Sequence, residues 1–464
     1  MKWNFEAAPA LKDLPPHFSP KLYKAVRVIS PLYFKSALNN RKLNLINGEI
    51  IAHEYKNFYE GKNRLILAFR HPYRDDAQTM NYMLLKHLPK IYRHRFKKNK
   101  ITPAHFVYNR GVTRWAGGIT TWIFPRFGAL PVYHRQQDKK SFFRVLDYLT
   151  TGSYPLALAP EGQVTYHNHS TAEIESGTAG IACMAMKRLM EAKQNPEVKI
   201  IPISISYTYL ETKKLTRIKR LLSYIYNKLE LPVPKLHTHA AKKTKKPWQH
   251  PEIRKQLYTI MKDAEEHIFS FLENLYASRY GYPHLLENKS KPIRERLYAI
   301  IDTALSVGEN YHALPHDADT LSRIFTLRNA GWRWMHRPDI YADLSNPKGL
   351  KKHSADIVAL ETHLYERHMQ LIDLLFYYRP NYCTPESSFN RLIEGFLNLA
   401  DTINRIEGGQ IGTRYNWQLK DITVKADSPI SGYEYYSYYS YHRKETITRL
   451  TQTIQETLEK LSSE

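Results

Sequence analysis

The sequence predicts an α/β domain with a largely parallel sheet, followed by an all-α C-terminal domain. Three observations predict it. Between about residues 40 and 230, short apolar runs alternate with amphipathic helical stretches, the pattern of strands joined by crossover helices. From 251 onward the apolar residues recur at i, i+3 and i+4, and the strand signal stops. The basic excess ends at the same place: residues 1–250 hold 42 Lys and Arg against 16 Asp and Glu, whereas residues 251–464 hold 26 against 28. The expected domains are an amphipathic helical arm over 1–40, an α/β domain over 41–250 and a helical domain over 251–464.

Residues 17–39 read as two short helices, each opened by a serine N-cap and a first-turn proline, Ser19-Pro20 and Ser30-Pro31. Phe18, Leu22, Val26, Ile29, Leu32 and Tyr33 form their apolar face, bordered by Lys21, Lys24, Arg27 and Lys35. That pattern suits an N-terminal arm packed on the domain, and its mixture of basic and aromatic residues suits an interfacial helix lying on a membrane. Leu65–Phe69 is the first clear strand, and Asp76–Leu88 follows as a helix. His105–Tyr108, Ala129–Tyr133, Leu156–Ala159 and the long run Lys199–Tyr209 read as further strands. Thr178–Ala192 reads as a helix with Ile181, Met184, Ala185 and Leu189 on one side. Two basic runs, Lys213–Arg220 and Lys242–Lys246, bracket a proline-containing stretch and mark a boundary or an exposed excursion. Helical stripes then cover 257–275, 291–307, 350–377, 387–406 and 443–461, and the Tyr-rich segment 433–441 reads as a packed loop.

Composition narrows the class of function. A chain of 464 residues with 42% hydrophobic and 12% aromatic residues can bury a substantial core. The 19 Gly and 26 Pro follow no period, which excludes a collagen-like chain. Two cysteines, Cys183 and Cys383, exclude a disulfide framework and a multi-cysteine zinc module, and suit a reducing cytoplasm. The apolar runs fall far short of the ~20 residues that span a bilayer, and the N-terminus lacks the apolar stretch of a signal peptide. A cytoplasmic protein, peripheral at the inner face of the membrane, is the expectation. The net charge of +24 would attract nucleic acid, anionic lipid or phosphorylated small molecules.

The chemistry centres on RLILAFRHPYRDDAQTM, residues 64–80. A strand delivers His71 at its carboxyl end, where ligands gather in open α/β sheets. Asp76, at the start of the next helix, is placed to orient the imidazole and to stabilise the imidazolium that forms when His71 takes a proton. No serine or cysteine stands beside them as a nucleophile, so the pair points to direct attack by a substrate hydroxyl or amine. Asp75 reads as a first-turn acid that favours the helix dipole. His363, Glu366 and His368 lie on a helix without the i, i+4 spacing of paired metal ligands, so no metal site is expected. His167 and His169 read as loop histidines, and neither a Walker motif nor a dinucleotide glycine pattern occurs.

Three further segments accompany the His71 region: FGALPVYHR at 127–135, PLALAPEGQVTYHNHS at 155–170 and KIIPISISY at 199–207. In this order and spacing, the four segments resemble the glycerolipid acyltransferase family that includes the lysophosphatidate acyltransferases. The resemblance covers roughly residues 20–230. It implies transfer of a fatty acyl group from an acyl thioester, of coenzyme A or acyl carrier protein, to a lipid or glycerol-phosphate-like acceptor, with no tightly bound cofactor. It makes His71 the general base and Asp76 its orienter. Arg135 matches the basic residue of the second motif, and Glu161 and Gly162 match the third, which shapes the acceptor site. Arg70 stands where the family has Asn, Tyr73 where it has Ser, and Val164 where it has an acceptor-binding Arg; Arg70, Arg74 and Arg126 are the arginines left to take that role. An anionic membrane surface is the expected partner and nucleic acid is not. The competing readings are a non-catalytic lipid-binding module on the same fold and a basic nucleic-acid-binding protein.

Overall fold

The computed structural model describes residues 5–133, 138–193, 196–239, 244–342, 348–409 and 412–462. The chain forms two units, one of residues 13–210 and 417–464, the other of residues 1–12 and 211–416.

The first unit is an α/β unit built on an eight-stranded, mostly parallel sheet. Its strands are β1 (Asn40–Ile46), β2 (Asn63–Phe69), β3 (His105–Asn109), β4 (Leu130–Val132), β5 (Leu156–Leu158), β6 (Glu197–Tyr209), β7 (Lys420–Ala426) and β8 (Ile430–Ser431). They lie in the order β1-β7-β6-β2-β5-β3-β4, with β8 paired to β6. Strand β2 is central and parallel to both β5 and β6. Its residues Leu65, Ile66, Leu67 and Ala68 are fully buried, which is why it reads as an unbroken apolar run and not an alternating one.

Two regions depart from the sequence reading. The expected helical domain over 251–464 ends at Asn416, and residues 417–464 return to the α/β unit. Strand β7 alternates buried and partly buried residues and enters the sheet parallel to β1 and antiparallel to β6. The helix Arg443–Ser462 buries Leu450, Ile454 and Leu458 in the same core as Ile66, Ala182 and Met186. Its amphipathic stripe is like that of any bundle helix, so periodicity alone could not say which unit it serves. The expected arm over 1–40 is likewise divided: Ala7 is buried against Met335, Ala355 and Ala359 in the helical unit, while Asp13 onward belongs to the α/β unit.

Residues 20–36 form one helix, Pro20–Ser36, where two were expected. Pro31 lacks the N–H that would bond the Arg27 carbonyl, and Ser30 Oγ donates to that carbonyl at 3.1 Å instead. Ser30 is therefore a repair within a continuous helix and not a second N-cap. Ser19 does cap the helix, accepting from the Leu22 N–H at 3.3 Å. Phe18 packs on Tyr154 with ring centroids 4.7 Å apart, so it is an anchor in the α/β unit and not part of a free apolar face. The Tyr-rich segment expected as a loop holds the helix Tyr433–Tyr439.

The helical unit holds the long helices Pro251–Tyr280, Ile293–His312, Thr320–Met335, Leu350–Leu375 and Phe389–Ile406. Buried ion pairs tie them: Arg296 bonds Glu273 at 2.7 Å and Arg323 bonds Glu309 at 2.7 Å. Cys183, in the α/β unit, and Cys383, in the helical unit, are both free and buried. Among the described residues no helix is long and apolar enough to cross a membrane.

Candidate active site

Strand β2 ends at Phe69, and the next two residues open the site. Pro72 biases His71 toward an extended backbone and cannot donate to a neighbouring strand, so the sheet stops there. The chain then turns through 72–75 and enters the helix Asp76–Tyr82. The turn is closed by Asp76 itself, whose Oδ2 accepts the Tyr73 N–H at 2.7 Å. The same oxygen lies 2.9 Å from His71 Nδ1. A carboxylate only accepts, so Nδ1 carries the hydrogen, and in the neutral ring Nε2 holds the lone pair. His71 is 21% exposed at its side chain and Asp76 is fully buried. This is the arrangement a general base needs, with a reachable ring and a hidden orienter.

Asp76 takes a third donor from outside its own loop. The Tyr207 hydroxyl donates to Oδ1 at 2.6 Å, and Thr79 Oγ1 lies 3.2 Å from that hydroxyl. Burial pushes the Asp76 pKa up from the ordinary carboxylate value, while His71, Tyr207 and the Tyr73 N–H favour the ionised form. Tyr207 sits on β6 beyond Ile203, the residue that pairs with the last residue of β2. From Ile203 onward β6 is held by β7. The C-terminal segment thus supports the stretch of strand that carries Tyr207 past the end of β2 and over the dyad. Tyr207 also stacks near Tyr73, with ring centroids 4.8 Å apart, and the ammonium of Lys420 lies 4.9 Å from the Tyr73 ring centre.

A second carboxylate holds the backbone of the same histidine. Glu161 Oε2 accepts the His71 N–H at 2.5 Å, and Oε1 accepts the Ala172 N–H at 3.3 Å. Glu161 follows β5 in a turn closed by the Gly162 N–H on the Ala159 carbonyl at 3.1 Å. Gly162 has φ +74°, a conformation in which a side chain is strained, so the glycine lets the turn tuck Glu161 inward. Beneath it lies Arg70, fully buried, with Nη2 3.4 Å from Glu161 Oε1. Its guanidinium also donates to the carbonyls of His167, Asn168 and Ser170 at 2.9, 2.6 and 2.7 Å, and to Ser462 Oγ at 2.8 Å. One arginine therefore gathers the loop after β5 and the end of the last helix under His71.

The structure brings His71, Asp76, Glu161 and Gly162 together, and it changes what two expected residues do. Glu161, expected to shape the acceptor site, faces the backbone of His71 and is closed to solvent. Arg70 is consumed by internal acceptors and is not open to bind an acceptor phosphate. Arg74 is partly exposed next to the dyad, with Nε 3.4 Å from Asp75. Asp75, expected as a first-turn acid, is buried at the N-cap position of the helix Asp76–Tyr82. Arg126 donates to the Trp122 carbonyl at 2.8 Å and covers the Trp122 ring. Arg135 lies outside the described residues. His167 is buried with Nδ1 2.6 Å from the Thr165 carbonyl. In the helical unit, His368 Nδ1 lies 2.9 Å from the Tyr276 hydroxyl, and burial pulls its pKa down to about 4.

Tyr207, Lys420 and Ser462 were not anticipated. Tyr207 had a signal, since it closes the unusually long apolar run 199–207 with a hydroxyl. Lys420 and Ser462 had none, being more than 340 residues from His71 in sequence. No family model matches this chain, and no curated protein matches it.

Proposed function

We propose that the protein is an acyltransferase that moves a fatty acyl group from an acyl thioester to the hydroxyl of a phospholipid-related or glycerol-type acceptor. The observation that carries this reading is the 2.9 Å contact between His71 Nδ1 and a buried Asp76, which leaves Nε2 as the basic atom of a partly exposed imidazole. Among the described residues, no serine or cysteine side chain hydrogen-bonds the imidazole, so the acceptor itself is the nucleophile. His71 Nε2 takes the proton of the acceptor hydroxyl as its oxygen bonds to the thioester carbonyl carbon. The tetrahedral intermediate then breaks its C–S bond, and the imidazolium returns the proton to the departing thiolate. Asp76 stabilises the imidazolium between those events. Glu161 keeps the His71 backbone in place and does not touch substrate.

The resemblance to the glycerolipid acyltransferases supports the same chemistry. Two departures from that pattern, Arg70 and Tyr73, fall on buried side chains whose contacts are internal, so they leave the outward side of the dyad unchanged. Arg74 is the partly exposed cation beside the dyad and is the residue we assign to an anionic acceptor group. Acyl-CoA and acyl carrier protein are the candidate donors.

The experiment is acyl-thioester turnover in a total lipid extract, with products identified by mass. His71→Ala is expected to lower turnover at least ~100-fold, the loss that follows removal of a general base. Asp75→Asn removes the Arg74 ion pair and not the general base, so it lowers turnover less than His71→Ala does. Near-normal turnover by a folded His71→Ala protein, or equal losses in the two variants, overturns the assignment. No turnover by the wild type with either donor class leaves the lipid-binding module as the better reading.

A further inference from the structure

The helix Pro20–Ser36 carries an apolar ridge that nothing in its unit covers. Val28, Ile29, Leu32 and Tyr33 are 75%, 61%, 71% and 48% exposed, at spacings that set them on one face. The opposite face is committed: Tyr23 and Phe34 are buried, and Phe34 stacks on Tyr82 of the dyad helix with centroids 4.0 Å apart. The exposed ridge is thus a fixed feature of a docked helix.

Charge surrounds it with one sign. The helix contains Lys21, Lys24, Arg27 and Lys35 and no acidic residue. Lys21, Lys24 and Lys35 are exposed, and Lys24, four residues before Val28, and Lys35, three after Leu32, flank the ridge. Lys21, Lys24 and Lys35 form no ion pair among the described residues, although ion pairs are frequent elsewhere in this unit. Like charges gathered without a counter-charge cost energy that an anionic partner recovers. A nucleic acid would supply the charge but would leave the apolar ridge in water. An anionic bilayer satisfies both, with the ridge among the acyl chains and the cations at the headgroups.

We propose that Val28, Ile29, Leu32 and Tyr33, with Lys21, Lys24 and Lys35, form a docking surface for an anionic phospholipid bilayer. The ridge ends beside the site. Phe34, the residue after Tyr33, stacks on Tyr82 of the helix that begins at Asp76. An acceptor drawn from the bilayer therefore meets Arg74 and His71 without crossing bulk water. That last step rests on the acyltransferase reading; the docking surface does not.

The test is flotation of the full chain with vesicles of phosphatidylcholine alone and of phosphatidylcholine with phosphatidylglycerol, at low and high salt. Binding only to the anionic vesicles, falling steeply with salt, is expected. Removing one flanking cation, as in Lys24→Ala, weakens partitioning about fivefold, the effect of one basic residue near such a surface. Ile29→Ser with Leu32→Ser weakens it by at least about tenfold, because two aliphatic side chains lose apolar burial. Thermal melting unchanged in these exposed positions separates lost docking from lost folding. His71→Ala floats like the wild type, so failed catalysis and failed docking are told apart. No flotation at low salt, equal flotation with neutral vesicles, or binding indifferent to the ridge overturns the proposal. So does a dimer in sedimentation that the ridge substitutions dissociate, which would assign the ridge to a second copy of the chain.

Discussion

Removing a single oxygen atom, in Tyr207→Phe, tests how the dyad is held. The Tyr207 hydroxyl is 2.6 Å from Asp76 Oδ1 and is the donor to that oxygen, whereas Oδ2 is served by His71 and the Tyr73 N–H. The phenyl ring still fills its place against Tyr73, so packing is kept. A hydrogen bond to a charged group contributes about 1.5–3 kcal/mol. Its loss disfavours the carboxylate relative to the acid, and 1.36 kcal/mol is one pKa unit. The Asp76 pKa, already raised by burial, is expected to climb further. The sign follows from which form loses support. Protonation of Asp76 now occurs at higher pH, and a protonated Asp76 no longer stabilises the His71 imidazolium. The acid side of the turnover profile therefore moves to higher pH, while turnover at alkaline pH falls less. The assay is turnover against pH for wild type and variant, with a melting curve for each. A folded variant whose profile has the wild-type shape and position, scaled or not, refutes the idea that Tyr207 sets the state of Asp76.

Two further outcomes follow from the contacts. Arg70→Met leaves Glu161 without its buried cation and strips donors from the 167, 168 and 170 carbonyls; the loss of about 3–5 kcal/mol expected for breaking a buried pair lowers the melting temperature by on the order of ten degrees, read by calorimetry. Asp13 is held down at about 2 chiefly by its hydrogen bond from Arg144, so its folded pKa lies below its unfolded one. Its contribution is present above the ordinary carboxylate pKa and is lost as pH falls through about 2; Asp13→Asn therefore lowers the melting temperature at neutral pH, and the gap to wild type closes on acidification.

The candidate site was legible where its chemistry is local. His71 and Asp76 are five residues apart, joined by a proline turn, so a strand end and a helix start set their meeting. Strands β2 to β6 were legible for a similar reason, since buried parallel strands appear as apolar runs. Glu161 was found, but its direction was not. Whether a carboxylate faces substrate or a backbone N–H depends on the turn at Gly162 and on Arg70 below it. The end of the α/β unit was missed because an amphipathic helix has the same period in a bundle and against a sheet. Alternation alone does not name a strand's neighbours, and β7 meets β1 and β6 only through pairing across some 200 to 380 residues. Local order along the chain thus determined the dyad and the central strands. Tertiary structure decided what buries Asp76 and what supports His71 from beneath, because those contacts are made by backbone amides, a phenol and an arginine whose partners are distant in sequence.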